Sequence, residues 1–302
     1  MRRATRLGAV GRTAKRVWRA LPAVALLVAA ALAGCSDGGS AGCATGVVDT
    51  TSGVVCGAVT DVVDLPGARS DAFLGIPFAE TTAGENRWAP PVPKARTAGV
   101  LDATQSGPGC PQSIDPPFGP TTGVGEDCLT VNVWRPAGAR AGRDLPVMVW
   151  IYGGSFRNGA TAVPVYDGAY LSAKNDVVVV TLNYRVGALG FLSGTDGLTG
   201  NYGLMDQQLA LRWVRDNIAG FGGDPANVTI FGQSAGGGSI ATLMEMPNAV
   251  KLFRRAILQS AAIMPHQTPE AALRVTDEVL KATGLDRARI AALRDVPVAK
   301  ML

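Results

Sequence analysis

One histidine, His266, serves all 302 residues. No C-x-x-C occurs and no histidine lies near any cysteine, so a structural zinc site has no ligand set. No acidic residue precedes Cys35, whereas seven of the 28 basic residues fall in the first 19 positions. The formal charge of +4 therefore describes the leader. Without positions 1–34 the chain keeps 21 basic against 24 acidic residues, a net of −3, and basic attraction to nucleic acid is excluded. Charged residues are few (17%) and apolar ones many (47%). That balance excludes a disordered chain and leaves ample core. No internal repeat is visible. The longest apolar run, 20–33, is too short for a transmembrane helix.

That run follows a basic stretch and fits the apolar region of a signal peptide. It ends in Leu32-Ala33-Gly34-Cys35, which resembles the bacterial lipoprotein signal, where the cysteine is lipidated and becomes the mature N-terminus. Residues 1–34 are then a signal peptide. Residues 35–46 hold the lipidated Cys35 and a flexible tether, and 47–302 form the folded domain. The expected location is the extracytoplasmic side of the cell membrane, with plain secretion as the alternative. Four cysteines remain: Cys43, Cys56, Cys110 and Cys128. An even number in an exported protein points to two disulfides. Three pairings are open, and proximity favours Cys43–Cys56 with Cys110–Cys128.

Beyond position 47 the pattern is α/β. Strands are expected at 54–63, 71–78, 129–134, 146–152, 176–184, 228–231 and 255–259. Helices are expected at 166–174, 204–218, 235–246, from Thr268-Pro269 to Gly284, and at 286–295. Strands alternating with helices predict a mostly parallel central sheet covered on both faces.

The chemistry concentrates at Gly232-Gln233-Ser234-Ala235-Gly236. A β-branched run precedes this G-x-S-x-G and small residues follow it. That is the setting of a nucleophile elbow, a tight strand-to-helix turn that lifts a serine hydroxyl above a sheet. The tetrahedral intermediate of acyl transfer also needs N–H donors. Ala235 supplies one, and Tyr152-Gly153-Gly154-Ser155-Phe156, after the strand at 146–152, is a second source.

With these motifs the chain resembles the type-B carboxylesterases, which include bacterial esterases and cholinesterases. Further stretches carry the likeness: 73–79, 87–91, Glu126-Asp127-Cys128-Leu129, Asn201-Tyr202-Gly203-Leu204 and 221–225. The resemblance implies an α/β-hydrolase fold, Ser234 as nucleophile, and Gly154, Ser155 and Ala235 as oxyanion donors. It implies a small-molecule ester substrate and no cofactor or metal. In relatives the place of Ser155 is usually glycine and that of Tyr152 often histidine. Cys110–Cys128 corresponds to the family's first disulfide loop. Cholinesterases place a choline-stacking Trp in that loop. Positions 111–127 here hold Phe118 and no Trp, which argues against a quaternary-ammonium substrate.

The resemblance also implies an acid on the order of a hundred residues beyond the serine, and a histidine further still. The sequence ends at Leu302, short of the place where either would stand. The expectation is therefore that neither the acid nor the histidine is present, that the domain is incomplete at its C-terminal end, and that turnover is low. His266 reads as a loop residue. Glu270, Asp277, Glu278, Asp286 and Asp295 read as solvated helix positions, and Asp206 and Glu126 as buried hydrogen-bonding groups. The alternatives are a non-catalytic cholinesterase-like surface binding protein and an inactive truncated product.

Overall fold

Four valines at 177–180 cannot all face one side of a strand, so both faces of that strand must be covered. In the computed structural model they are. The structure describes residues 43–113, 119–195, 197–261 and 267–302. The described residues all belong to one compact unit. Cys35, Phe118 and His266 lie outside the described residues.

The strands are β1 (Val47–Thr50), β2 (Gly53–Cys56), β3 (Ala58–Asp61), β4 (Arg69–Pro77), β5 (Val100–Asp102), β6 (Thr130–Pro136), β7 (Leu145–Ile151), β8 (Val178–Leu182), β9 (Ser193–Thr195), β10 (Leu198–Thr199), β11 (Gly223–Gln233) and β12 (Arg255–Gln259). The helices are α1 (Ala169–Asn175), α2 (Gly187–Phe191), α3 (Tyr202–Asn217), α4 (Ala235–Glu245) and α5 (Pro269–Ala282). The central sheet has seven strands in the order β12-β11-β7-β8-β6-β4-β3. The pairings among β12, β11, β7 and β8 are parallel. Those joining β8, β6, β4 and β3 are antiparallel. The expected parallel pairing thus applies to the half that carries the site, and the N-terminal half is a meander.

Alternate residues separate the two faces. Val178, Val180 and Leu182 pack with Val147, Val149 and Ile151 beneath Leu209, Leu211 and Val214 of α3 and Ile240 and Leu243 of α4. Val177 and Val179 turn to the other face with Trp134 and Ala169, where α1 lies. The α/β layering expected from the sequence is present.

Several boundaries differ from the sequence pattern. The single strand expected at 54–63 is two strands in two sheets: β2 joins β1 and β5, and β3 joins the central sheet. The break is Gly57, where a Cβ would collide with the carbonyl oxygen of Ala72, so the crossing between sheets needs glycine. β11 begins at Gly223, ahead of the 228–231 run, with a register irregularity before Val228. Strands β1 and β5 and helix α2 had no clear periodic signal. The segment expected as a last helix forms 3₁₀ turns at Arg287–Asp295, interrupted by non-helical backbone at Arg289. Helix α5 starts as expected. The Thr268 side chain accepts from Ala271 N–H at 3.2 Å, and Pro269 opens the first turn. Both are standard devices for starting a helix.

Both disulfides favoured by proximity, Cys43–Cys56 and Cys110–Cys128, are formed. Among the described residues, no helix is long and apolar enough to cross a membrane.

Candidate active site

β11 lies between β7 and β12, and its last paired residues set Gly232 opposite Ile151 on one side and Leu258 on the other. Ser234 follows at φ 54°, ψ −121°, and α4 begins at the next residue. A non-glycine residue at positive φ costs on the order of 1–3 kcal/mol, and such residues gather at functional sites. Neighbouring hydrogen bonds hold the turn in place. Ser234 N–H donates to the Gln259 carbonyl at 2.9 Å, and the Ser234 carbonyl accepts from Gly238 N–H at 2.9 Å. Space around the turn is minimal. A Cβ on Gly232 would stand 2.6 Å from the Ile151 carbonyl oxygen, and one on Gly236 would collide with the same atom. The two flanking glycines therefore let β7 and the start of α4 close around the serine. The Ser234 side chain does not cap α4. It is half-buried, and among the described residues nothing hydrogen-bonds its hydroxyl.

The glycine-rich loop leaves the end of β7 and meets this turn. A Cβ on Gly153 would be 2.5 Å from the Gln233 carbonyl oxygen and 3.1 Å from the Ser234 Cβ, so the loop backbone lies directly against the serine. Gly154, Ser155 and Phe156 have φ of 118°, 54° and 58°. Glycine takes such a conformation without strain and serine does not, so Ser155 holds a backbone that favours glycine. The loop is closed on itself by Arg157 N–H to the Gly154 carbonyl at 2.9 Å, and tied to α2 by Gly187 N–H to the Phe156 carbonyl at 2.7 Å. Among the described residues, no acceptor engages the N–H of Gly154, Ser155 or Ala235. The Ala235 N–H also belongs to the positive end of the α4 dipole. A cleft of about 350 Å³ opens on the outer side of the loop, bordered by Gly154, Ser155 and Arg157. Ser234 does not border it.

The acidic residues weighed in the sequence are engaged elsewhere. Asp206, fully buried on α3, accepts from the backbone N–H, Nε and Nη2 of Arg185 at 2.9, 2.8 and 2.7 Å. Burial pushes its carboxyl above the usual range, and the Arg185 bonds oppose that shift. Glu126 makes a two-pronged pair with Arg87, both bonds at 2.7 Å. The remaining Arg87 nitrogen, Nη1, reaches the carbonyls of Arg294 and Val296. Asp277 pairs with Arg287, and Asp286 accepts from the Arg289 N–H. None of these groups hydrogen-bonds Ser234. Among the described residues, no group of three or more His, Cys, Asp or Glu side chains could hold a metal ion.

Residues 44–302 match the profile of the carboxylesterase family. The chain belongs to that family. Its fold is thus that of an α/β-hydrolase. A cholinesterase of Mus musculus is 42% identical over 255 residues, which is 80% of this chain and 42% of that protein. A para-nitrobenzyl esterase of Bacillus subtilis (strain 168) is 44% identical over 236 residues, covering 76% of this chain and 48% of that protein. The chain spans about half the length of the curated relatives it matches.

Two features of this family member escaped the sequence reading. One is the Arg185–Asp206 pair. The other is Tyr184, which stacks on Tyr152 and hydrogen-bonds the root of the glycine loop. Their sequence signal is weak: a polar pair directly after a buried valine strand.

Proposed function

We propose that this protein is a carboxylic-ester hydrolase that works through Ser234 and an acyl-enzyme. The backbone of Ser234 carries this reading: its φ and ψ are unfavourable for serine, and the only evident return is a hydroxyl held clear of the sheet. Ser234 Oγ forms a bond to the ester carbonyl carbon, and its proton passes through water to the alcohol oxygen that departs. The carbonyl oxygen becomes an oxyanion facing the N–H groups of Gly154, Ser155 and Ala235. Collapse expels the alcohol and leaves an acyl ester on Ser234, which water then cleaves. No metal or cofactor is needed for these steps. The substrate is a small-molecule ester. A binding protein without catalysis would gain nothing from a strained serine beside unengaged amides.

Stoichiometric capture tests the reading, because it needs no turnover. A fluorophosphonate should form an Oγ–P bond with loss of fluoride, and peptide mapping by mass spectrometry should place the adduct on Ser234. An adduct confined to other hydroxyls, or none at all, removes the assignment.

The proposal extends to the site of action. Leu32-Ala33-Gly34-Cys35 and the basic leader support a lipid on Cys35 and an extracytoplasmic membrane location. Cells fed an alkyne fatty acid should label the wild-type protein and leave Cys35→Ala unlabelled. Equal labelling of the two would rule the anchor out.

A further inference from the structure

Two tyrosines stand just past the ends of two neighbouring parallel strands, at the root of the glycine loop. Tyr152 follows β7 and Tyr184 lies just past β8, and both are fully buried. Their rings stack with centroids 4.4 Å apart and planes 17° apart. Each hydroxyl bonds the other residue's backbone. Tyr152 Oη donates to the Tyr184 carbonyl at 3.1 Å and accepts from the Tyr184 N–H at 3.2 Å. Tyr184 Oη donates to the Tyr152 carbonyl at 2.8 Å.

That last bond has a mechanical consequence. The Tyr152 carbonyl and the Gly153 N–H belong to one planar peptide. Holding the carbonyl sets the orientation of the plane from which the loop departs. The next two peptides carry the N–H groups of Gly154 and Ser155. Glycine gives this stretch little stiffness of its own, so its direction must be imposed from outside. The far end of the loop returns to the same pair: a Cβ on Gly159 would collide with the Tyr152 ring. The Gly159 N–H is held by Gln112 Oε1 at 2.7 Å, and Gln112 Nε2 donates to the Gly159 carbonyl at 2.9 Å. A Cβ on Gly236 would also stand 2.9 Å from the Tyr152 carbonyl oxygen, so this one carbonyl borders both the loop and the elbow. Burial pushes both phenols upward from their ordinary value, so both remain protonated donors at neutral pH.

We propose that Tyr184 is a positioning residue for acyl transfer: its hydroxyl fixes the Tyr152–Gly153 peptide and thereby aims the Gly154 and Ser155 N–H groups at the oxyanion. The inference rests on the Ser234 reading. Its effect falls on the transition state, where charge develops, and not on binding of the neutral ground state.

The test is fluorophosphonate capture by the whole chain, with the saturating rate separated from the half-saturation concentration. Tyr184→Phe keeps the ring and removes one hydroxyl. Its saturating rate should fall on the order of 10- to 100-fold, less than the roughly 10²–10³ lost when a donor is removed outright, because here the donors are misaimed and not deleted. The half-saturation concentration should stay within about twofold, as expected for an interaction made only in the transition state. Ser70→Ala is the matched control. Ser70 is equally buried and donates to the Arg135 carbonyl at 2.9 Å, in the antiparallel half of the sheet. It should lose comparable stability and keep the wild-type rate. A Tyr184→Phe rate no lower than that of Ser70→Ala overturns the proposal and leaves Ser234 standing. Loss of cooperative unfolding in Tyr184→Phe also overturns it, since the hydroxyl would then serve folding as a whole. Wild-type protein without an adduct removes the Ser234 reading and this inference together.

Discussion

Ser234→Gly is expected to abolish covalent capture and, in the same protein, to raise the unfolding midpoint. The two effects share a cause. Ser234 holds φ 54° and ψ −121°. That region is open to glycine and costly to residues with a Cβ. Relief of that strain stabilises by on the order of 1–3 kcal/mol. Glycine returns roughly 0.5–1 kcal/mol through the greater freedom of the unfolded chain. The net gain is about 1 kcal/mol, or a midpoint higher by about 2–4 °C for a domain of this size. Capture, in contrast, loses its only attacking atom. In serine hydrolases removal of the nucleophile lowers turnover by about 10⁶-fold. Differential scanning calorimetry and intact-protein mass measure the two sides. A variant that is less stable than wild type would show that the turn is not strained. A variant still modified at the elbow peptide would show that Ser234 is not the nucleophile. Ser234→Ala separates the contributions: it should lose capture equally and gain no stability, because alanine keeps the Cβ.

Asp206→Ala should lower stability by about 3–5 kcal/mol. The carboxylate accepts three bonds from Arg185, and both side chains are almost wholly buried, at 2% and 0% exposure. Removing it leaves a buried guanidinium that cannot lose its proton and has no partner for its charge. Arg185 also lies over the Tyr202 ring, 5.3 Å from its centroid, so it has little room to leave. The midpoint should fall by about 10 °C, at roughly 2–4 °C per kcal/mol. Asp206→Asn should lose less, since the amide oxygen still accepts. Chemical unfolding monitored by tryptophan fluorescence decides the matter. A loss under about 1 kcal/mol for Asp206→Ala would mean that Arg185 finds other acceptors. Because Arg185 is adjacent to Tyr184, this variant should also slow capture. The Asp206 pair anchors the turn that carries the tyrosine hydroxyl.

Much of the site was legible from the chain alone. The G-x-S-x-G turn needs small residues at two set places, and Gly232 and Gly236 occupy them because the Ile151 carbonyl leaves no space. The loop at Gly153-Gly154-Ser155 is recognisable for the same reason. Short-range pairings such as Cys43–Cys56 follow from proximity, and Thr268 capping α5 follows from the order Thr-Pro before an amphipathic run. These signals are local, and local sterics write directly into residue type.

Other features were decided only when distant segments met. A run of apolar residues across Gly57 reads as one strand, yet the approach of the Ala72 carbonyl splits it between two sheets. Asp206 reads from the sequence as a buried hydrogen-bonding group, but its partner, Arg185, 21 positions away, is set only by the fold. Tyr152 and Tyr184 stand 32 positions apart and become one device because parallel pairing of β7 and β8 brings their strand ends side by side. The sequence by itself determined which serine stands at the turn and which glycines let the backbone close around it, since a missing Cβ is a property of one residue. The tertiary structure decided what aims that backbone and which charges are neutralised, since a hydrogen bond or an ion pair exists only between two groups that the fold has placed within reach.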